Sequence, residues 1–172
     1  MNILDEKASR VKLLLLDVDG VMTNGQIILG NAGEEFKAFN IHDGLGINLL
    51  QKSGVPVGII TKRESRVVTR RAEELKIQYV YQAQQDKLTA FEELCAKLTL
   101  QPEQVAYMGD DLPDLALLKR VGFSATVKNA VAEVRAQVDF ISQFNGGEGA
   151  VREICELIMR AQNTYQRMVS TL

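Results

Sequence analysis

Apolar residues in this chain gather in short unbroken runs, separated by longer stretches in which they recur every three or four positions. Val11–Leu16 is the first run, and Val55–Ile60 (VPVGII) and Val105–Met108 (VAYM) repeat it. Runs of four to six residues with no polar alternation are the signature of strands buried on both faces. Tyr79–Tyr81, Phe123–Thr126 and Phe140–Ile141 are shorter stretches of the same kind. Between them lie helical patterns. Asp43-Gly44 opens one that continues through Leu45, Leu49 and Leu50. Ser65–Leu75 gives a basic-faced helix. Lys87–Leu98 carries Leu88, Phe91, Leu94, Cys95 and Leu98 on one side. Leu112–Arg120 is helical, and a last helix runs from about Ala150 toward Arg167. Gly25–Phe39 departs from this rhythm. QIIL and EEFKAF flank the turn residues Gly30, Asn31, Ala32 and Gly33, which predicts a β-hairpin.

Strands alternating with helices predict an α/β fold: a three-layer, Rossmann-like parallel sheet with helices on both faces. The hairpin at about 25–39 is a small insertion after the first strand, and no room remains for a cap domain. Residues 1–172 read as one domain, a length that suits a single core. The tail at about 160–172 (RAQNTYQRMVSTL) is amphipathic at best, and a mobile extension is expected there.

Composition narrows the function. With 46% apolar and 24% charged residues and a net charge of -2, the chain is globular and lacks the basic field that nucleic acid requires. No apolar stretch approaches the ~18 residues of a membrane span, and the polar start MNILDEKASR lacks a signal-peptide core. The expectation is a cytoplasmic protein that binds neither nucleic acid nor membrane. Cys95 and Cys155, the only cysteines, fall in apolar helical patterns and are expected to be buried free thiols.

Parallel sheets bind ligands at the carboxyl ends of their strands, and four polar clusters fall just past such ends. Asp17 and Asp19 follow the first run. Thr61, Lys62 and Arg63 follow VPVGII. Lys87 opens a helix soon after Tyr79–Tyr81. Asp110, Asp111 and Asp114 follow VAYM. Asp17, Asp19 and Asp110 at close quarters would repel unless a cation compensates, and an oxygen-only set suits Mg²⁺. His42 is the only histidine, so triads with a histidine base are excluded. A carboxylate can itself attack phosphorus, with Lys87 and the Thr61 hydroxyl holding phosphoryl oxygens. A second acid two residues on could protonate the leaving oxygen. Each cluster has an ordinary structural reading too: Asp19-Gly20 as a turn, Asp110 and Asp111 as caps of the helix near Leu112, Thr61 as a cap and Lys87 as a solvated residue. It is their common placement at strand ends, in this order, that favours chemistry.

The motifs DVDGVMT, a Thr after an apolar strand, a lone Lys, and GDDLPD resemble the haloacid dehalogenase superfamily of aspartate-nucleophile phosphatases. Within it, LLLLDVDGVMTNGQI, EEFKAFNIHDGLGI, YQAQQDKLTAFEEL, QVAYMGDDLPDLALLKRVG and GGEGAVREICELI look like the 3-deoxy-D-manno-octulosonate 8-phosphate phosphatase family. That resemblance implies Mg²⁺-dependent release of phosphate from a phosphorylated sugar acid through an aspartyl-phosphate, in lipopolysaccharide biosynthesis. It implies that Asp17 is the nucleophile and a metal ligand. Asp19 would be the general acid/base, with a metal-bound backbone carbonyl, and Asp110 the remaining metal ligand. Thr61 and Lys87 would bind phosphate, and Asp111 and Asp114 would support Lys87 and metal-bound water. Lys62 stands where the family commonly has Gly, and His42 where it often has Arg.

Arg63, whose fork suits a carboxylate, is the best candidate for substrate recognition beyond phosphate. Arg152, beside Gly146, Gly147 and Gly149, is a second candidate, with a flexible start to the last helix as the plainer alternative. Lacking a cap, relatives of this kind form a homotetramer through their hairpins. Ile27, Ile28, Leu29, Phe36 and Phe39 fit such an interface, and the family's tails can reach a neighbouring site. Two other readings stay open: a phosphatase for a nine-carbon sugar acid, and a non-catalytic oligomerising domain.

Overall fold

The computed structural model describes residues 3–170. Six strands form one sheet: β1 (Leu13–Leu16), β4 (Val57–Ile60), β5 (Tyr79–Tyr81), β6 (Val105–Met108), β7 (Phe123–Thr126) and β8 (Phe140–Ile141). Their order is β5-β4-β1-β6-β7-β8, and every pairing is parallel. The unbroken apolar runs are explained by position: β1, β4, β6 and β7 are buried at every residue. β2 (Ile28–Leu29) and β3 (Glu35–Phe36) pair antiparallel as a separate two-stranded hairpin.

The helices are α1 (Ile3–Ser9), α2 (Ile41–Ser53), α3 (Arg66–Glu74), α4 (Lys87–Leu98), α5 (Leu115–Leu118), α6 (Ala132–Arg135), α7 (Ala150–Ala161) and α8 (Tyr165–Val169). From β1 the chain steps one way to β4 and β5, then crosses back to β6, β7 and β8. Right-handed crossovers in opposite directions put the connecting helices on opposite faces. The packing agrees, since α7 lies against α1 and α2 while α4 lies against α5. The direction of winding reverses between β1 and β6, and a crevice opens at such a reversal, past the strands' carboxyl ends.

Several elements differ from the reading of the sequence. α1 was not anticipated. It buries only Ala8, so it has no apolar stripe, and its contact with α7 supplies what periodicity lacks. α6, four residues long, was missed for the same reason. α2 starts at Ile41, two residues early, because the Asn40 side chain accepts from the backbone N–H groups of His42 and Asp43. Leu112–Arg120 is not one helix. Pro113 fits the tight 3₁₀ turn Leu112–Asp114, which precedes α5. The last helix breaks at Ala161, where Asn163 takes φ 57°, and resumes as α8. The described part of the tail is docked rather than mobile. Met168 is buried, and the Gln162 amide donates to the Val11 carbonyl at 2.7 Å. Both cysteines are free and buried, as expected.

Candidate active site

Hydrogen bonding along β1 delivers Asp17 directly to the rim. Its N–H donates to the Met108 carbonyl at 3.0 Å, which sets Asp17 beside Gly109 at the end of β6. Thr61 is held the same way at the end of β4: its N–H donates to the Tyr81 carbonyl, and its carbonyl accepts from Gln84. Lys87 is fixed by the start of α4, where the Asp86 side chain caps Leu88 and Thr89. These segments enclose a cleft of about 310 Å³ lined by Asp17, Asp19, Thr61, Lys62, Arg63, Lys87, Asp110, Asp111 and Asp114, among others. A larger hollow of about 600 Å³ lies at the opposite, amino ends of β4 and β5. Glu74 is the only acid lining it, so size alone does not locate the chemistry.

At the floor, Lys87 is nearly enclosed. Its Nζ stands 2.6 Å from Asp114 Oδ1 and 3.0 Å from Asp17 Oδ1. Asp114 is saturated: Oδ1 also accepts from the Tyr107 hydroxyl at 2.5 Å, and Oδ2 accepts from the N–H groups of Asp110 and Asp111 at 2.9 and 3.1 Å. Burial works against the Lys87 ammonium, but Asp17 and Asp114 outweigh it and raise its pKa. Asp17 is pushed up to about 6 by burial, against the pull of Lys87. Burial, aided by Asp17 and Asp114, lifts Asp110 to about 7.

Oxygens of Asp17, Asp110 and Asp114 lie within 4.8 Å of one another. Because Asp114 is committed to Lys87, Tyr107 and two backbone donors, Asp17 and Asp110 are the carboxylates with capacity left. Asp110 Oδ1 is buried with no hydrogen-bond partner among the described residues, and Asp17 Oδ1 meets the Lys87 ammonium at 3.0 Å. Buried carboxylates with raised pKa values and oxygens to spare fit a hard divalent cation, which would favour the ionised form of both.

The turn behind the acids is tightly specified. Gly20 has φ +93°, and a Cβ there would sit 2.1 Å from Asp110 Oδ2. A Gly20→Ala variant is expected to lose about 1–3 kcal/mol of stability through backbone strain and to bind a divalent ion more weakly, because Asp110 must move. Thermal melting with a magnesium titration checks this, and unchanged values in both would show that the turn tolerates a side chain. Gly146 and Gly147 serve this turn. A Cβ on Gly146 would lie 1.8 Å from the Gly20 carbonyl oxygen, and the Gly147 N–H donates to the Val21 carbonyl at 2.9 Å. What these two approach closely is the loop at residues 20–24.

The cleft therefore gathers Asp17, Asp19, Thr61, Arg63, Lys87, Asp110, Asp111 and Asp114. Asp111 also caps the following turn, accepting from the Leu112 N–H at 2.8 Å. Arg152 stands apart. Its Nε pairs with Glu156 at 2.6 Å, its stem packs over Gly46, and its backbone N–H donates to Asp43. His42 is exposed. Sequence reading missed Lys37, whose fully buried side chain pairs with Asp19 and, at 3.3 Å, with Glu35. The signal was there. In EEFKAF the charged Glu35 and Lys37 alternate with Phe36, which places them on one face of the strand.

Known proteins share this fold. Residues 76–154 match the model of the haloacid dehalogenase-like hydrolase family. The chain is 48% identical over 161 residues to the 3-deoxy-D-manno-octulosonate 8-phosphate phosphatase KdsC of Yersinia pestis, covering 94% of this chain and 86% of that protein. It is 46% identical to the enzyme of the same name from Escherichia coli K12, covering 91% and 83%. The crystal structure of the Moraxella catarrhalis 3-deoxy-D-manno-octulosonate 8-phosphate phosphatase, in complex with magnesium, phosphate and KDO, superposes with a TM-score of 0.97, at 47% identity, covering 99% of this chain and 98% of that one. The chain belongs to the 3-deoxy-D-manno-octulosonate 8-phosphate phosphatase family of the haloacid dehalogenase-like hydrolases.

Proposed function

We propose that this protein hydrolyses 3-deoxy-D-manno-octulosonate 8-phosphate to the free sugar acid and phosphate, a step of lipopolysaccharide biosynthesis. The observation that carries this reading is the single cleft joining Asp17, Asp19, Thr61, Lys87 and Asp110, in a chain 48% identical to a phosphatase of that name. Asp17 and Asp110 would hold magnesium, with the Asp19 backbone carbonyl. When bound, magnesium offsets the negative charge that phosphate brings beside the carboxylates.

A carboxylate oxygen of Asp17 attacks phosphorus in line. The bond from phosphorus to the sugar oxygen breaks, and Asp19 gives that oxygen its proton. Asp19 then takes a proton from water as the water oxygen attacks the aspartyl-phosphate. The phosphorus–Asp17 bond breaks, releasing phosphate and restoring both acids. Lys87 and Thr61 hold the phosphoryl oxygens throughout, and Asp114 keeps Lys87 aimed. Arg63, half exposed at the mouth, is offered as the contact to the sugar acid's carboxylate. Arg152 keeps a substrate role only if a neighbouring copy's site reaches it.

Ile28, Leu29 and Phe36 are 51%, 70% and 56% exposed on the hairpin. A two-stranded ribbon with an uncovered apolar face is unstable alone. This supports a homotetramer built on the hairpins. Among the described residues no helix is long and apolar enough to cross a membrane.

The test is phosphate release from the eight-carbon substrate beside nine-carbon and neutral sugar phosphates, with magnesium and with chelator. Selective, magnesium-dependent release is expected. Equal rates across the panel would remove the substrate assignment, and release from none would favour a non-catalytic domain.

A further inference from the structure

Lys37 is the hairpin's one cation; its side chain has no exposed surface, and its ammonium lies between two acids. It contacts Asp19 Oδ1 and stands 3.3 Å from Glu35 Oε1. Arg63 closes the group from the other side, 3.7 Å from Asp19 Oδ2 and 3.5 Å from the same Glu35 oxygen. Asp19 thus has each carboxylate oxygen facing a different cation. The two differ in kind. Arg63 is 48% exposed and free to turn to a ligand, whereas the Lys37 side chain has no exposed surface. A side chain without exposed surface does not reach substrate, and a buried ammonium needs its anions in place to offset lost hydration.

We infer that Lys37 is a positioning residue for Asp19: it fixes the acid's carboxylate so that its proton is delivered to the leaving oxygen. The inference rests on the proposed phosphatase reaction. It also gives the hairpin a role within its own chain, since β3 and the residue after it carry both Glu35 and Lys37. Removing the ammonium leaves Asp19 free to rotate toward Arg63.

Leaving-group dependence separates positioning from a merely structural role. An alkyl phosphate needs a proton on its departing oxygen, while p-nitrophenyl phosphate departs as a stable anion and does not. In Lys37→Met, kcat/KM for 3-deoxy-D-manno-octulosonate 8-phosphate is expected to fall about 100-fold, the scale of a lost general acid. For p-nitrophenyl phosphate it should fall less than about 10-fold, and inhibition by inorganic phosphate should hold. Equal losses on both substrates would overturn the inference. If Lys37→Met does not fold, Asp19→Asn and Asp19→Asn/Lys37→Met are compared, because Lys37 has there lost the partner it positions. Matching rates are expected, and a further loss in the double variant would show that Lys37 acts elsewhere. A wild-type protein inactive on the sugar acid phosphate but active on the aryl ester would refute the substrate alone, and other alkyl phosphates would then carry the comparison.

Discussion

Asp17→Asn is expected to abolish phosphate release, by about 10⁴-fold or more, while leaving a folded protein. The carboxamide has the shape of the carboxylate but no nucleophilic oxygen anion, so the first bond to phosphorus cannot form. The fold should survive because ionised Asp17 costs stability where it stands. Burial lifts its pKa to about 6, which means that the site without a cation holds the ionised form less favourably than water does. Lys87 keeps Asp114 as its anion at 2.6 Å when Asp17 is neutralised, so no buried ammonium is stranded. Phosphate release and thermal melting on one preparation decide the matter. Turnover near that of the wild type would sink the nucleophile assignment, whatever the melting temperature. The comparison with Asp19→Asn is informative, since losing a general acid and base typically costs about 10²–10⁴-fold. An amide at 19 that was more damaging than one at 17 would exchange the two roles.

The sheet and its chemical rim were legible because both depend on short-range patterns. A strand buried on both faces must be apolar throughout, so LLLL, VGII and VAYM announce themselves, and the residue after each run lands at the rim. Asp17 and Thr61 follow that rule directly, and Asp110 lies one residue further on, after Gly109. Other features were hidden because tertiary contact decides them. α1 carries one buried residue, Ala8, and exists as a helix through its packing on α7. The break at Asn163 follows from a left-handed backbone, which asparagine tolerates better than most residues but does not by itself announce. Asp111 and Asp114 stand three residues apart in the GDDLPD motif and look alike, yet one caps a turn and the other is enclosed with four donors around it. Lys37 was not singled out in the sequence. Its burial depends on Asp19, eighteen residues earlier, and on the hairpin folding back over the cleft. Arg152 stands apart from its own chain's cleft, paired with Glu156, and Gly146 and Gly147 before it approach the loop at residues 20–24.

The metal-free protein is expected to lose stability as pH rises from about 4 to about 7.5, and magnesium to restore it most at the upper end. The sign follows from the raised carboxyls. Asp17 and Asp110 hold their protons up to about 6 and about 7 in the folded chain, whereas unfolded aspartates release theirs near 3.9. Between those values the folded state binds more protons than the unfolded state, so stability declines with rising pH. A shift of about three pH units corresponds to about 4 kcal/mol, and the coupling between the two acids makes a combined loss of a few kcal/mol the reasonable scale. A divalent cation competes with those protons. Its stabilisation should be slight at pH 5, where both acids are largely protonated, and should grow through pH 7 as ionised oxygens become available. Thermal melts in chelator and in magnesium at pH 5, 6, 7 and 8 measure both curves. A metal-free melting temperature that rises across this range, or a magnesium shift independent of pH, would show that Asp17 and Asp110 are not the groups that exchange protons for the ion. The pH at which magnesium begins to stabilise also tests the division of labour among the aspartates. Asp110→Asn, which removes a free oxygen, should abolish most of the magnesium shift.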